Sequence, residues 1–333
     1  MQTSARRPRF HTRRAALAPA VLTLALALAL WATLTPGSAA AYPEPGRVTG
    51  DTGIHDPTMV RTDSGYVLYG SNSLLEARTS PDRTAFSDAG SAFAAPQDWW
   101  AEYSPERNPW APDLTEVGGT YYLYYAVSTF GSRHSAIGLA TSPTGAPGSF
   151  TDHGEVLHTD SGSAYNAIDP DLLIDPDGRW RLTFGSWGTG IHQIELDPAT
   201  GKPASGAAPV RLASAGGGIE GPTLVRRGGF YYLFSSYGTC CAGTDSTYRI
   251  RVGRSSSPTG PFTDQQGNRL LDGGGTPVLE SHGSRVVGPG GQDILPDVDG
   301  DLLVYHYYDA QRGGAPTLGV NLLDWSSGWP VAY

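Results

Sequence analysis

The chain has 333 residues, with 32 Asp and Glu against 23 Lys and Arg, a net charge of −9 with histidine neutral, 44 glycines, 26 prolines and two cysteines. So acidic a chain argues against nucleic acid or an anionic membrane as a partner. Two cysteines make neither a disulfide framework nor a good metal site.

Residues 1–41 read as a secretory signal peptide. Arg6, Arg7, Arg9, Arg13 and Arg14 form a basic head, 15–34 is rich in Ala and Leu, and Ala39-Ala40-Ala41 supplies small residues for cleavage before Tyr42. A membrane anchor has a similar layout, but the small residues and the Pro/Gly-rich sequence that follows favour cleavage. Thr12-Arg13-Arg14-Ala15 is a partial twin-arginine match. Without residues 1–41, 18 bases face 32 acids and the net charge is −14. No later apolar run approaches the roughly 18 residues that a bilayer span needs. The expectation is a secreted protein whose single domain, 42–333, is large enough to bury a substantial core.

Within 42–333 long helical periodicity is absent, and short runs of Tyr, Val, Leu, Phe and Trp alternate with Gly/Asp/Ser/Asn turns, an all-β pattern. Five units repeat. The first runs from Asp56-Pro57-Thr58 through a turn at Asp63-Ser64-Gly65 to Tyr66–Ser71. The second runs from Pro112-Asp113-Leu114 through Gly118-Gly119 to Tyr121–Ala126, and the third from Asp169-Pro170-Asp171 through Asp177-Gly178 to Trp180–Ser186. The fourth runs from Glu220-Gly221-Pro222 through Gly228-Gly229 to Tyr231–Ser236, and the fifth from Gln292-Asp293-Ile294 through Asp299-Gly300 to Leu302–Tyr307. Each reads as a hairpin, because Asp-Gly and Gly-Gly supply the positive φ that tight turns require. The spacing is 57 from Asp56 to Asp113, 56 to Asp169, 51 to Glu220 and 68 to Gly288. A hairpin at the head of each such period predicts an all-β, five-bladed β-propeller rather than a β-sandwich. An outer strand ending in Ser-Pro-Thr-Gly occurs at 135–145 and again at 248–260.

In a propeller the first strand of each blade lines the axis, so Asp56, Asp113, Asp169 or Asp171, and Glu220 are predicted to converge on one mouth of the channel. Asp before Pro often merely starts a turn. Several carboxyls gathered at equivalent positions instead push one another's pKa values apart, which makes one a proton donor and another an acceptor. Glu220, in Gly-Ile-Glu-Gly-Pro, is not a turn former and suits the donor. Trp99, Trp100, Tyr103, Trp110, Tyr165 and Trp187 flank these acids; Trp99-Trp100 and Trp187 are the better candidates for a platform against a sugar ring. Cys240 and Cys241 are adjacent, and the sequence leaves open whether they form a disulfide or remain buried thiols.

These segments resemble glycoside hydrolase family 43, in its endo-1,5-α-L-arabinanase branch. The resemblance rests on His55-Asp56-Pro57, Trp110-Ala111-Pro112-Asp113, Asn166-Ala167-Ile168-Asp169-Pro170, Phe184-Gly185-Ser186-Trp187, Ile219-Glu220-Gly221-Pro222 and Gly288-Pro289-Gly290-Gly291-Gln292. Cys240-Cys241, Ser246-Thr247-Tyr248 and Trp325–Pro330 add to it. It covers nearly all of 42–333 and implies a five-bladed propeller that hydrolyses internal α-1,5 bonds of arabinan with inversion. It assigns Asp56 as general base, Glu220 as general acid and Asp169 as the group that raises the pKa of the acid and orients it. The two working carboxyls of an inverting pair are expected roughly 6.5–9.5 Å apart. Asn166, Ala167, Ile168, Gly185, Ser186, Trp187, Trp110 and Asp113 are expected to contact substrate.

Relatives often carry a channel metal, taken as calcium, on one histidine and waters. Many have a histidine where this chain has Gly291, which leaves His306 as the candidate ligand; a hydrogen-bonded core histidine is an equal reading of the same residue. No organic cofactor is implied, and the expected state is a monomer. An exo-acting arabinofuranosidase or xylosidase on the same scaffold is the alternative, to be decided by the loops at 96–110 and 237–247. A non-catalytic sugar-binding propeller is disfavoured because Asp56, Asp169 and Glu220 are all present.

Overall fold

The computed structural model describes residues 42–333; the expected signal peptide lies outside them. Five antiparallel sheets follow one another along the chain. From the innermost strand outwards, the first blade contains Thr58–Thr62, Gly65–Tyr69, Glu76–Ser80 and Ala85–Ser91, with Thr49–Gly50 added in parallel at its rim. The second contains Pro109–Val117, Thr120–Val127, Ser135–Ser142 and Thr151–Thr159. The third is built on Asp171–Ile174, Trp180–Phe184 and Ile191–Asp197, the fourth on Ile219–Arg227, Phe230–Tyr237, Arg249–Ser255 and Thr276–Leu279. Val286–Asp297, Gly300–Asp309, Ala315–Asp324 and Val331–Ala332 make the fifth.

All five expected hairpins form. Val117 pairs with Thr120 across Gly118-Gly119, and Arg227 with Phe230 across Gly228-Gly229; all four glycines have positive φ, which a two-residue turn of this kind demands. The innermost strands of the second, fourth and fifth blades start earlier than the hairpin pattern suggests and carry bulges just before Asp113, Thr223 and Asp293.

Buried apolar side chains form five clusters, each lying between neighbouring blades. Tyr69 and Val127 share one, Leu182 and Tyr124 the next, Leu173 and Leu233 the third, Phe234 and Tyr305 the fourth. The fifth joins Met59 and Leu68 to Leu302 and Val304, and so closes the ring. Each such side chain contributes about 1.5–3 kcal/mol of burial, so the joints between sheets, rather than the sheets alone, hold the molecule together.

A polar ring repeats the same logic around the axis. Side chains at one equivalent position, Thr58, Asp113, Asp171, Thr223 and Asp293, each bond the backbone of the following blade. Leu114 N–H donates to Thr58 Oγ1, Leu172 N–H to Asp113 Oδ2 and Leu224 N–H to Asp171 Oδ2. Thr223 Oγ1 donates to the Gln292 carbonyl, and Asp293 Oδ2 accepts from Met59 N–H and Thr58 Oγ1.

Candidate active site

Two residues before each ring position the chain turns into the left-handed region: Asp56 (φ 48°), Ala111 (42°), Asp169 (54°), Gly221 (55°) and Gly291 (54°). Such a φ costs a non-glycine residue about 1–3 kcal/mol and collects at functional sites; Asp tolerates it better than most. The turn lifts this residue and the one before it, among them His55 and Glu220, towards one mouth of the channel. There they border a cleft of about 1000 Å³ with Ser71, Trp110, Phe130, Asn166, Ile168, Asp169, Ser186, Trp187, Cys240, Cys241, Tyr248, Gln292 and Tyr308.

A second repeat holds these turns. The side chain that stands two residues beyond the ring residue's partner on the second strand accepts the N–H of the left-handed residue in the next blade. Ser71 Oγ takes Ala111 N–H at 2.8 Å, Ser236 Oγ takes Gly291 N–H at 2.9 Å, and His306 Nδ1 takes Asp56 N–H at 3.1 Å. The second and third blades have Ala126 and Gly185 at this position, with no acceptor to offer. Gly221 N–H turns instead to Asp169 Oδ2, 3.1 Å away. This contact ties Asp169 to the backbone next to Glu220.

The carboxyls differ in environment. Asp56 Oδ2 receives His55 Nδ1 at 2.8 Å and Ser71 Oγ at 2.6 Å. Burial alone would raise its pKa, but the neighbouring His55 ring, its hydrogen bond and the Ser71 hydroxyl hold the carboxyl well below the usual range. It is therefore ionised, and Oδ1 is the oxygen left uncommitted. Glu220 is buried; Ser186 Oγ donates to Oε2 at 2.5 Å and the Tyr248 hydroxyl donates to Oε1. Burial raises its pKa against the opposing pull of these two hydroxyls, with Asp56 adding to the rise. Burial, then the charges of Glu220 and Asp56, push Asp169 well above the ordinary value. One carboxylate poised to accept a proton and one carboxyl poised to give it up thus share a cleft.

The expected substrate residues divide. Asn166, Ile168, Ser186, Trp187, Trp110 and Asp113 border the cleft. Asn166 donates through Nδ2 to the Ser132 carbonyl while its buried Oδ1 has no partner, and Trp187 is 47% exposed. Ala167 does not border the cleft: it is fully buried in the cluster between the second and third blades. Gly185 stands behind Ser186, its Cα facing the Gly190 carbonyl. Asp113 lies on the floor, with one oxygen committed to Leu172 N–H. Trp99 and Trp100 are not a sugar platform: Trp99 Nε1 donates to Asp152 Oδ2, Trp100 Nε1 to the Tyr125 hydroxyl, and both pack against Tyr125. Cys240 and Cys241 form a disulfide in the cleft wall.

His306 is fully buried behind Asp56 and stacks on His55 with ring centroids 3.8 Å apart. Burial and the adjacent His55 keep it neutral. Its Nε2 is buried without a partner. As the ring stands, Nδ1 accepts and Nε2 carries the proton. A cation on Nε2 requires the other tautomer, for which Asp56 Oδ1, 3.5 Å from Nδ1, is the available acceptor. The residues therefore fit a single-nitrogen site completed by water, not a cage of oxygen ligands.

Sequence reasoning missed Ser71 and Tyr248, which reach the acids, Tyr308, which reaches His55, and Phe130 and Ser132 in the loop after the second blade's second strand. The Ser71 and Ser236 equivalence was the available signal.

This acid pair at the axis of a five-bladed propeller is the arrangement of a glycoside hydrolase. Residues 47–330 match the model of glycosyl hydrolases family 43, and the chain belongs to that family. It is 45% identical over 285 residues to extracellular endo-α-(1→5)-L-arabinanase 1 of Bacillus subtilis, covering 83% of this chain and 87% of that protein. Among solved structures, the family 43 endo-arabinanase from Bacillus licheniformis superposes with a TM-score of 0.80 at 42% identity, covering 86% of this chain and 99% of that one. An exo-1,5-α-L-arabinanase from a bovine ruminal metagenomic library gives 0.81 at 32% identity, over 86% and 100%.

Proposed function

We propose that the protein is an arabinan endo-1,5-α-L-arabinosidase that cuts internal bonds of the polymer with inversion. The observation that carries the reading is the contrast in one cleft between Asp56, whose pKa is held low, and buried Glu220, whose pKa is raised, in a chain 45% identical to an endo-acting relative. Asp56 Oδ1 takes a proton from a water as its oxygen bonds to the anomeric carbon. Glu220 gives its proton to the departing glycosidic oxygen, so the bond breaks without leaving charge on the leaving group. Asp169, held on Gly221 N–H, fixes the backbone beside Glu220 and so orients the acid; keeping the pKa of the acid high is the further task this reading gives it. Asn166 Oδ1 accepts from a sugar hydroxyl and Trp187 offers its indole face. An acidic cleft suits this neutral polymer.

The same reading places calcium on His306 Nε2 with waters completing its shell, where it would supply positive charge beneath Asp56. It also takes the mature protein as a secreted monomer, in keeping with the extracellular relative; no helix among the described residues is long and apolar enough to cross a membrane. The exo-acting solved relative keeps the alternative on the same scaffold in view.

Product analysis on linear debranched arabinan tests the reading. An early ladder of oligosaccharides, released as the inverted anomer by proton NMR and absent with Glu220→Ala, is expected. Arabinose alone from the first minutes would point to exo action, and retained configuration would overturn the two-carboxyl assignment.

A further inference from the structure

We propose that Tyr308 and the Cys240–Cys241 turn form the positioning device of the general base, an inference that rests on the assignment of Asp56 to that task. Three hydrogen bonds in series connect the cleft wall to Asp56. Cys241 N–H donates to the Tyr308 oxygen at 2.7 Å. The Tyr308 hydroxyl lies 2.9 Å from His55 Nε2. His55 Nδ1 lies 2.8 Å from Asp56 Oδ2.

The bonds constrain one another. Asp56 is a carboxylate and only accepts, so His55 Nδ1 carries the proton. The other face of the ring, Nε2, is closed by the Tyr308 hydroxyl. The Tyr308 oxygen is left to accept, which the Cys241 amide satisfies. The series fixes the orientation of the His55 ring and therefore which oxygen of Asp56 is occupied and which is free for water. Stacking on His306 at 3.8 Å keeps the His55 ring from swinging away.

The disulfide enters at the far end of this series. Cys241 has φ 66°, a conformation that a β-substituted residue avoids unless held. Bonding its sulfur to that of Cys240 holds the turn, and so keeps the Cys241 amide aimed at Tyr308. Ala242 N–H on Ser246 Oγ at 3.0 Å and Thr247 N–H on the Thr239 carbonyl at 2.9 Å secure the rest of the loop. Cys241 is exposed, so the turn is open to a reductant. Tyr308 touches neither water nor sugar in this scheme and acts through His55.

The test compares wild type, Tyr308→Phe, the Cys240→Ser/Cys241→Ser pair and the triple variant on debranched arabinan, with melting temperatures alongside. Each of the first two changes is expected to lower kcat about 10-fold with KM little altered. The triple variant should be no worse than Tyr308→Phe, because both changes break one series. The defect lies on the water side, so 4-nitrophenyl α-1,5-L-arabinotrioside, with its good leaving group, should not relieve it, whereas it should relieve Glu220→Gln.

Wild-type kcat in Tyr308→Phe would overturn the proposal; losses that multiply in the triple variant would remove the disulfide from it. Should the variants fold poorly, dithiothreitol on the folded wild type gives the same reading. It passes two electrons and two protons to the disulfide, yielding two thiols as it closes to its own cyclic disulfide. A reversible kcat loss in wild type, absent in Tyr308→Phe, is expected; full activity with the thiols free by titration would overturn the disulfide's part. Asp56→Asn is assayed beside these. If it retains hydrolysis, the base assignment fails; if it is inactive while Tyr308→Phe is normal, the positioning device alone fails.

Discussion

The backbone N–H of Asp56 points at Nδ1 of His306, 3.1 Å away across the joint between the first and fifth blades. His306 therefore does for Asp56 what Ser71 does for Ala111 and Ser236 for Gly291. His306→Ala leaves that buried amide without an acceptor, at about 1–3 kcal/mol. A lower melting temperature and a reduced kcat are expected. If a cation instead sits on Nε2 of the other tautomer, with Nδ1 turned to Asp56 Oδ1, EDTA will slow the wild type and leave the residual activity of His306→Ala unchanged. A wild type indifferent to EDTA, with no metal by mass spectrometry, would reduce His306 to its hydrogen bond.

Glu220→Gln should lower kcat on arabinan by about 10²–10⁴-fold. The acid works while protonated, so activity is lost as pH rises through its elevated pKa. The Tyr248 hydroxyl favours the charged form of Glu220. Tyr248→Phe should therefore raise that pKa further and move the alkaline limb of the kcat/KM profile to higher pH. A shift to lower pH would contradict the hydrogen bond's assigned sense.

Asp113 and Asp171 are buried, each beside another carboxyl of the axial ring, and burial first and that neighbour second push both well above the ordinary value. A carboxyl whose folded pKa is raised is stabilised at low pH, and stability is lost as pH climbs from the unfolded value near 3.8 through the folded one. Asp171→Asn keeps an oxygen for Leu224 N–H and removes the charge. Its melting temperature should exceed that of wild type by more at pH 8 than at pH 5, by scanning calorimetry.

At Gly291 an added Cβ would stand 2.5 Å from Asp56 Oδ1 and 2.8 Å from His306 Nδ1, at φ +54°. Gly291→Ala is expected to displace the base and cost about 10²-fold in kcat, with arabinan affinity by calorimetry nearly unchanged. A normal kcat would mean that Asp56 has room to move without penalty.

Much of this was legible in the chain because each hairpin is spelled locally. Gly118-Gly119 and Gly228-Gly229 permit one kind of turn, and the aromatic run after each marks the second strand. Asp56, Asp169 and Glu220 could be picked out because they recur at the head of that local pattern. The left-handed turn that lifts them could not: Ala111 adopts it as well, and nothing in alanine announces positive φ. Trp99 and Trp100 looked like surface aromatics in a polar loop, but partners more than 20 residues away, Tyr125 and Asp152, draw them inward. Ala167 and Gly185 belonged to matching segments, yet alternation along the backbone turns alternate residues away from the cleft. Tyr248 reaches Glu220 from the start of the third strand of the same blade, and Tyr308 reaches His55 from the fifth blade, an adjacency that only the closed ring creates.

The joint between the first and fifth blades has a consequence for how the molecule folds. Thr58 meets Asp293 across 235 positions of chain, and Gly46 and Thr52 bond the strand that holds Leu318 and Val320. Closing a loop of that length in an unstructured chain costs on the order of 5 kcal/mol in entropy, and only the joints between the intervening blades shorten it. Four blades must stand in register, with the apolar flanks around Met59 and Leu302 still wet, before the last joint can form. The base is assembled on that same joint: Asp56 and His55 come from one side, His306 and Tyr308 from the other. Catalytic competence should thus appear in a single late kinetic phase, after most strand structure is in place, rather than growing blade by blade.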